Sequence, residues 1–178
     1  MKKQFSAEVR LDFASYRRFA EFQLFKGRNP LFKKIFFYGL GMLSALFLLF
    51  LGITERNTGF LMLGGIVVLC VAMFAYMTGQ VPKRQFKKDK RLINTAQYYV
   101  FAPDGFIIEM KGDGIDSRED VFYGDLFKIY ETRDAFYLYA DKMSAFIVLK
   151  KDLRDFTPEQ ASEFLKSKVP DYKYIVTK

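Results

Sequence analysis

Two long runs without a single charged residue dominate the first half of the chain. The first, Ile35 to Thr54 (IFFYGLGMLSALFLLFLGIT), has 20 residues, and as a helix rising ~1.5 Å per residue it reaches ~30 Å, the hydrocarbon thickness of a bilayer. The second runs from Asn57 to Pro82, with an apolar body from Phe60 to Met77 (FLMLGGIVVLCVAMFAYM). Spans are predicted over residues 35–54 and 60–81, forming a two-helix transmembrane hairpin over 35–81. Only Thr54 to Thr58 joins them, too little chain for a binding domain on that side. A cleaved secretory signal is not expected, because the first run begins 34 residues in and the LGITER after it lacks small residues at A-x-A spacing. Arg17-Arg18 lies too far from the run, in an aromatic-rich helical pattern, to read as a twin-arginine signal.

Charge supplies the expected orientation. Residues 1–34 hold nine Lys/Arg against three acids and residues 82–91 hold six against one, while the connecting loop is neutral and residues 92–178 hold 12 against 15. The excess positive charge therefore flanks the hairpin on one side, which the positive-inside rule assigns to the cytoplasm, with both termini cytoplasmic. The formal net charge of +8 thus belongs to the membrane flanks, and nucleic acid is not expected as a partner, because the sizeable segment outside the membrane is mildly acidic.

Outside the hairpin, residues 1–34 read as a strand and an amphipathic helix. Phe5, Ala7, Val9, Leu11 and Phe13 alternate with Gln4, Ser6, Glu8, Arg10 and Asp12, the period of a half-buried strand. A lone strand is unstable in water, so this one is expected to join a sheet made by the C-terminal part. Asp12 can cap the helix that follows, and Gly27 and Pro30 end it. Its aromatics, Tyr16 and Phe19 among them, suit either the headgroup layer or the soluble domain. Lys83, Arg84, Lys87, Lys88, Lys90 and Arg91 crowd the flank at 82–91. They read either as an anionic-lipid contact or as an ordinary cytoplasmic flank of a span.

Residues 92–178 form short strands divided by turn residues: 96–101, 106–111, 115–123, 127–131, 135–140 and 145–149. Then Thr157-Pro158-Glu159-Gln160 sets a capping box before the apolar stripe Ala161, Phe164, Leu165, Val169. The expected fold is a membrane helical hairpin plus an α+β cytoplasmic domain, an antiparallel β barrel or sandwich closed by a C-terminal helix.

The order of these elements resembles the bacterial YcxB-like membrane proteins. The motifs that carry the resemblance are Tyr99-Val100-Phe101 before Asp104-Gly105, the run Tyr123 to Thr132 (YGDLFKIYET), Phe136-Tyr137-Leu138-Tyr139, and Ala145 to Lys151 (AFIVLKK) before Thr157 and Glu159. Where relatives often carry Trp before the Asp-hydrophobic pair, this chain has Tyr123. The resemblance implies a pleckstrin-homology-like C-terminal domain and the bacterial cell membrane, and no settled activity.

Candidate chemistry is sparse. With no His and one Cys, His-based acid–base catalysis, the usual zinc sites, CxxC redox motifs and disulfides fall away for this chain. Asp113, Asp116, Glu119 and Asp120 cluster, but an EF-hand loop from Asp113 would place Ile115 at the third position and Arg118 at the sixth, so a solvated turn is the better reading. Gly112 and Gly114 precede no G-K-[ST] and supply turn geometry. Cys70 is an apolar filler in mid-span. Neither apolar run contains Asp, Glu, Lys or Arg, so a charged proton relay or substrate site at the midplane is not expected. Gly41 and Ala45 in the first span, with Ala72, Ala75 and Gly79 at similar depth in the second, are expected to let the hairpin backbones approach.

No catalytic residue, metal or cofactor is expected. The expected function is a non-enzymatic, membrane-tethered binding or scaffold module, with the bilayer, a protein or peptide, and anionic headgroups as candidate partners. Two other readings are an accessory subunit of a larger membrane enzyme or transporter, and an enzyme working at the membrane face. The charge arithmetic makes a topological prediction: in a Cys70→Ser background, Asn57→Cys labels with an impermeant thiol reagent from outside intact cells and Asp104→Cys does not. Labelling of the second from outside would invert the orientation.

Overall fold

The computed structural model describes residues 5–25, 30–88, 95–112 and 115–177. Gln4, Gly27, Lys90, Arg91, Asp113 and Gly114, singled out above, lie outside them. The chain divides into two compact units, one of Met1–Phe19 with Phe86–Lys178 and the other of Ala20–Gln85.

The first unit contains two sheets. β1 (Phe5–Val9) lies between β2 (Ala96–Phe101) and the two-residue β8 (Leu153–Arg154), antiparallel to both, and β3 (Gly105–Gly112) and β4 (Ile115–Phe122) complete a sheet of order β4-β3-β2-β1-β8. In this register Phe5 faces Phe101 and Val9 faces Gln97. The alternation in the sequence becomes an alternation of burial: Phe5, Ala7 and Val9 are buried, while Ser6 and Glu8 sit on the partly exposed face. β5 (Lys128–Glu131), β6 (Ala135–Tyr139), β7 (Ala145–Leu149) and β9 (Tyr174–Val176) form the second sheet, ordered β7-β6-β5-β9. Every residue of β6 is buried, so both faces of this sheet are covered. Phe19, in the first turns of α1 (Phe13–Phe25), packs against Tyr137 and Tyr139 with ring centroids 5.1 and 6.4 Å away. Of the two seats open to this helix's aromatics, Phe19 takes the sheet.

The helix α4 (Pro158–Lys168) starts as its sequence dictates. Thr157 Oγ1 accepts the Gln160 N–H at 3.3 Å and Gln160 Oε1 accepts the Thr157 N–H at 3.0 Å, satisfying two donors that a helix start otherwise leaves unpaired. Ala161, Leu165 and Val169 are buried. Phe164 meets the Phe5 ring edge-on at 5.3 Å, and Phe5 stacks on Phe101 at 4.2 Å and on Phe156 at 4.6 Å. This aromatic cluster is the centre of the unit and joins β1, β2, the β8–α4 loop and α4.

Of the barrel and the sandwich that the sequence left open, the described residues form two open sheets. Three features differ from the sequence expectation. The β5–β9 pair is parallel. The chain passes from the second sheet to the first through a 3₁₀ turn at Lys150–Asp152, which breaks what would be one strand into β7 and β8. β8 and β9 are two and three residues long, too short to show a period. Tyr123, expected at the end of a strand, begins another 3₁₀ turn, Tyr123–Asp125, between β4 and β5.

The second unit is the apolar hairpin, built on α2 (Pro30–Thr54) and α3 (Thr58–Lys88). Arg56 turns the chain with φ 53°, and Asn57 Oδ1 accepts the Gly59 N–H at 2.9 Å at the start of α3. Pro82 does not end α3, which runs on to Lys88, because a proline removes one N–H from the ladder and a long helix can absorb that loss. Both helices are long and apolar enough to cross a membrane.

Phe5→Ala is expected to cost ~3–5 kcal/mol, the range for removing a buried aromatic ring, whereas Ser6→Ala should stay within ~0.5 kcal/mol. Chemical denaturation of the purified chain followed by tyrosine fluorescence measures both, and equal midpoints would show that the inward side of β1 carries no packing energy.

Candidate functional site

The hairpin contact follows a stripe on each helix. Tyr38 OH and Thr78 Oγ1 share a hydrogen bond of 3.0 Å. A Cβ on Gly41 would lie 2.8 Å from Val71, and one on Gly64 would lie 2.9 Å from Leu49, so both glycines are places where the facing side chain needs the space. Ala45 is buried. The contacts thus recur every three or four residues at Tyr38, Gly41, Ala45 and Leu49 on α2 and every seven, two helical turns, at Gly64, Val71 and Thr78 on α3, the spacing of antiparallel helices that keep one seam together. Ala72 and Ala75 are exposed, and a Cβ on Gly79 would meet nothing within 4 Å. All three are small and lie at the depth of Gly41 and Ala45, the two properties the sequence shows. At ~100° per residue, Ala72 and Gly79 sit a quarter-turn past Val71 and Thr78 and miss the seam. Beside the seam a cleft of about 490 Å³ opens, lined among others by Phe36, Leu40, Ser44, Cys70 and Phe74.

The basic flank is exposed where it is described. Lys83, Arg84, Lys87 and Lys88 stand on the last turns of α3, all open to solvent, and Arg84 lies 5.9 Å from the Tyr76 ring centre. Cations there also suit the negative end of the helix dipole. Lys90 and Arg91 lie outside the described residues.

In the β-rich unit, a polar cluster missed by sequence reasoning forms around Glu131 at the end of β5. Its carboxylate accepts from Lys150 Nζ, Ser162 Oγ and Tyr174 OH, each at 2.7 Å, and Ser162 and Tyr174 lie 3.0 Å apart. Lys150 Nζ also stands 4.9 Å over the Phe136 ring. Burial would raise the Glu131 carboxyl, but these three donors outweigh it and hold it below its ordinary value. Tyr174 is pushed up, chiefly by burial. The cluster ties β5, the turn after β7, α4 and β9 together, four segments that are far apart in sequence and share no motif.

A second polar feature is a groove of about 550 Å³ beside β8, lined by Glu8, Arg10, Lys151, Asp152, Leu153 and Arg154. Glu8 is shared by Arg154, by Arg10 at 3.6 Å and by Tyr98 OH at 3.3 Å, and Lys151 lies 3.6 Å from Asp12. Asp12 also accepts the Ser15 N–H at 2.7 Å as the cap of α1, and this bond above all lowers its carboxyl. Asp152 is raised by burial, with Asp12 and Glu8 adding repulsion.

The acidic run on β4 does not converge. Successive residues point to opposite faces of a strand, so Asp116 and Asp120 share one face with Arg118, and Glu119 takes the other. Among the described residues no group of three or more His, Cys, Asp or Glu side chains is placed to hold a metal ion.

The Glu131 cluster predicts an acid-sensitive stability. A carboxyl whose folded pKa is lowered contributes stability that is present above its unfolded value, near 4.5, and is lost as pH falls through the folded value. Glu131→Gln should therefore cost ~1.5–3 kcal/mol at pH 7, and the gap to the unaltered chain should narrow as pH falls below the unfolded value. Denaturation midpoints at pH 7, 5 and 3.5 test this. A gap that does not change with pH would mean that the carboxylate charge plays no part.

No curated protein and no solved structure matches the chain. The family model described as YcxB-like protein matches residues 101–166, so the stretch from the last residue of β2 into the closing helix α4, with the tyrosine-rich strands and the Glu131 cluster's β5 between them, is YcxB-like.

Proposed function

We propose that the chain is a two-span membrane anchor carrying a cytoplasmic, pleckstrin-homology-like binding module that is not itself an enzyme. The observation that carries this reading is the ladder between β1 and β2, which ties together the segments on either side of the apolar hairpin. A chain so tied enters and leaves a bilayer on the same side, so α2 and α3 cross as a pair. The large apolar side chains on their flanks, such as Leu43, Phe47, Phe50, Met62 and Leu69, are exposed, as suits contact with lipid rather than a protein core. The cations before and after the hairpin favour a cytoplasmic module, and the exposed Lys83, Arg84, Lys87 and Lys88 can draw it to anionic headgroups.

The pleckstrin-homology-like reading rests on two packed sheets followed by a helix that closes them and on the family resemblance. Binding is favoured over catalysis because the donors and acceptors around Glu131 engage one another. A second reading, in which the hairpin seats against a larger membrane protein that the module regulates, is favoured by the apolar cleft between α2 and α3.

The chain is expected to stay in the membrane fraction after alkaline extraction and to dissolve only in detergent. In native membranes, crosslinking with mass spectrometry should recover a protein partner in fixed proportion, joined through the module or, on the second reading, through the hairpin cleft. Release by alkali would overturn the anchor, and turnover of a bound metabolite without any partner would overturn the binding module.

A further inference from the structure

We infer that the free edge of β4 is a docking site for a positively charged, extended segment of a partner protein, which adds to the five-stranded sheet as a further strand. The inference names the class of partner for the binding module proposed above and rests on that reading.

Among the described residues β4 ends its sheet, with β3 as its only neighbour. It offers eight residues, Ile115–Phe122, whereas β8 and β9 offer two and three, and β7 ends in the buried Ile147, Val148 and Leu149. The direction of its backbone groups follows from one bond: the Tyr123 N–H donates to Asp104 O at 3.2 Å, so residue 123 faces the β3 side. In an antiparallel ladder the facing groups alternate. Residues 117, 119 and 121 therefore bond to β3, and Asp116, Arg118, Asp120 and Phe122 direct N–H and C=O to the open side. Four residues with outward donors and acceptors are what an added strand pairs with.

Charge selects the occupant. β4 carries Asp116, Glu119 and Asp120 against Arg118, and the exposed Asp104 and Asp125 lie at its far end. Arg118 is already engaged, 3.6 Å from Glu109 and 3.8 Å from Asp120, and Lys111 on the neighbouring strand is 3.4 Å from Glu109. The edge is thus acidic. A second copy would set one acidic strand against another, and an anionic leaflet would be repelled, whereas a lysine- or arginine-bearing strand gains opposite-charge cross-strand pairs. Phe122, 59% exposed at the end of the strand, supplies an apolar contact beside the charges.

The test uses the full chain, isotope-labelled, in phosphatidylcholine nanodiscs, titrated with the synthetic octapeptides (Lys-Val)4 and (Glu-Val)4. The first should slow amide exchange at least tenfold at Asp116, Arg118, Asp120 and Phe122, and the second should not. Asp116→Lys with Asp120→Lys should weaken (Lys-Val)4 binding at least tenfold. Arg118→Pro removes an N–H that takes no part in the β3 ladder, so β2 and β3 should keep their protection while docking is lost. Equal binding of the two peptides, protection elsewhere than on β4, or no binding would overturn the inference, and the charge pair decides the matter if the proline variant unfolds. Photo-crosslinking residues placed singly at Phe122, Lys151 and Tyr172 in cells separate this failure from that of the module. A Phe122 adduct abolished by the two lysine substitutions supports docking at β4. Adducts only at the other positions sink the edge and keep the module, and none at any position sinks both.

Discussion

The pairing of β1 with β2 is the constraint on which the rest depends. These strands are neighbours in space, with Val9 opposite Gln97, but the whole apolar hairpin lies between them in sequence. Closing so long a loop costs less than intuition suggests, because the entropic cost grows only with the logarithm of length, ~0.6 kcal/mol for each doubling. The hairpin lowers it further by zipping its own helices along the seam from Tyr38 and Thr78 to Leu49 and Gly64. What repays the closure is the inward side of β1: Phe5, Ala7 and Val9 are almost wholly removed from water, and Phe5 touches three aromatic rings from three other segments. The sheet is therefore completed across the hairpin, which makes the hairpin an insertion within one folding unit rather than an appendage at its end.

That aromatic centre also accounts for two open sheets. A core made of phenylalanine and tyrosine, in a chain with 21 Phe, 11 Tyr and no Trp, needs wide flat spaces between layers, and rings here meet both stacked and edge-on. The break at Lys150–Asp152 lets the chain change layers between β7 and β8, and Asp155, at φ 68°, turns it again toward α4. α4 then brings Phe164 to the first sheet and Ser162 to the second. One helix face seals an apolar gap while its neighbour completes a charged cluster, so the sheets are held together without a continuous ring of strands.

What was legible in the sequence is what depends on local period and local caps. The alternation around Phe5 to Val9, the capping box of Thr157 and Gln160 and the two uncharged runs each concern residues within a turn or a strand of one another. What was not legible depends on partners brought from afar. Nothing near Glu131 announces that Lys150, Ser162 and Tyr174 will converge on it, and β8 and β9 exist only because β1 and β5 are there to receive them. The hairpin shows the same divide within a single motif: Gly41 and Ala45 are small, lie at one depth and sit on the seam, but Ala72, Ala75 and Gly79 share that size and depth and lie off it. Azimuth around a helix is fixed by its partner, and small residues alone do not encode it.

The sheet that β1 completes has two unlike ends. Ala96, which follows the hairpin and its basic flank, and Val9, which precedes α1, share one end of it, and Phe101, Phe5 and Phe122 share the other. β4 runs between these ends, and at ~3.3 Å per residue its eight residues measure ~26 Å. An extended segment bound along it would then reach from the end of the sheet near Ala96 and Val9 to the end near Phe5, Phe101 and Phe122. Such a contact needs little intrinsic affinity if the partner is itself held at the membrane, because confinement raises the effective concentration of each for the other without any new bond. If the proposed anchor and the inferred docking both hold, anchoring and recognition are one device, in which the hairpin supplies the concentration and the edge the discrimination.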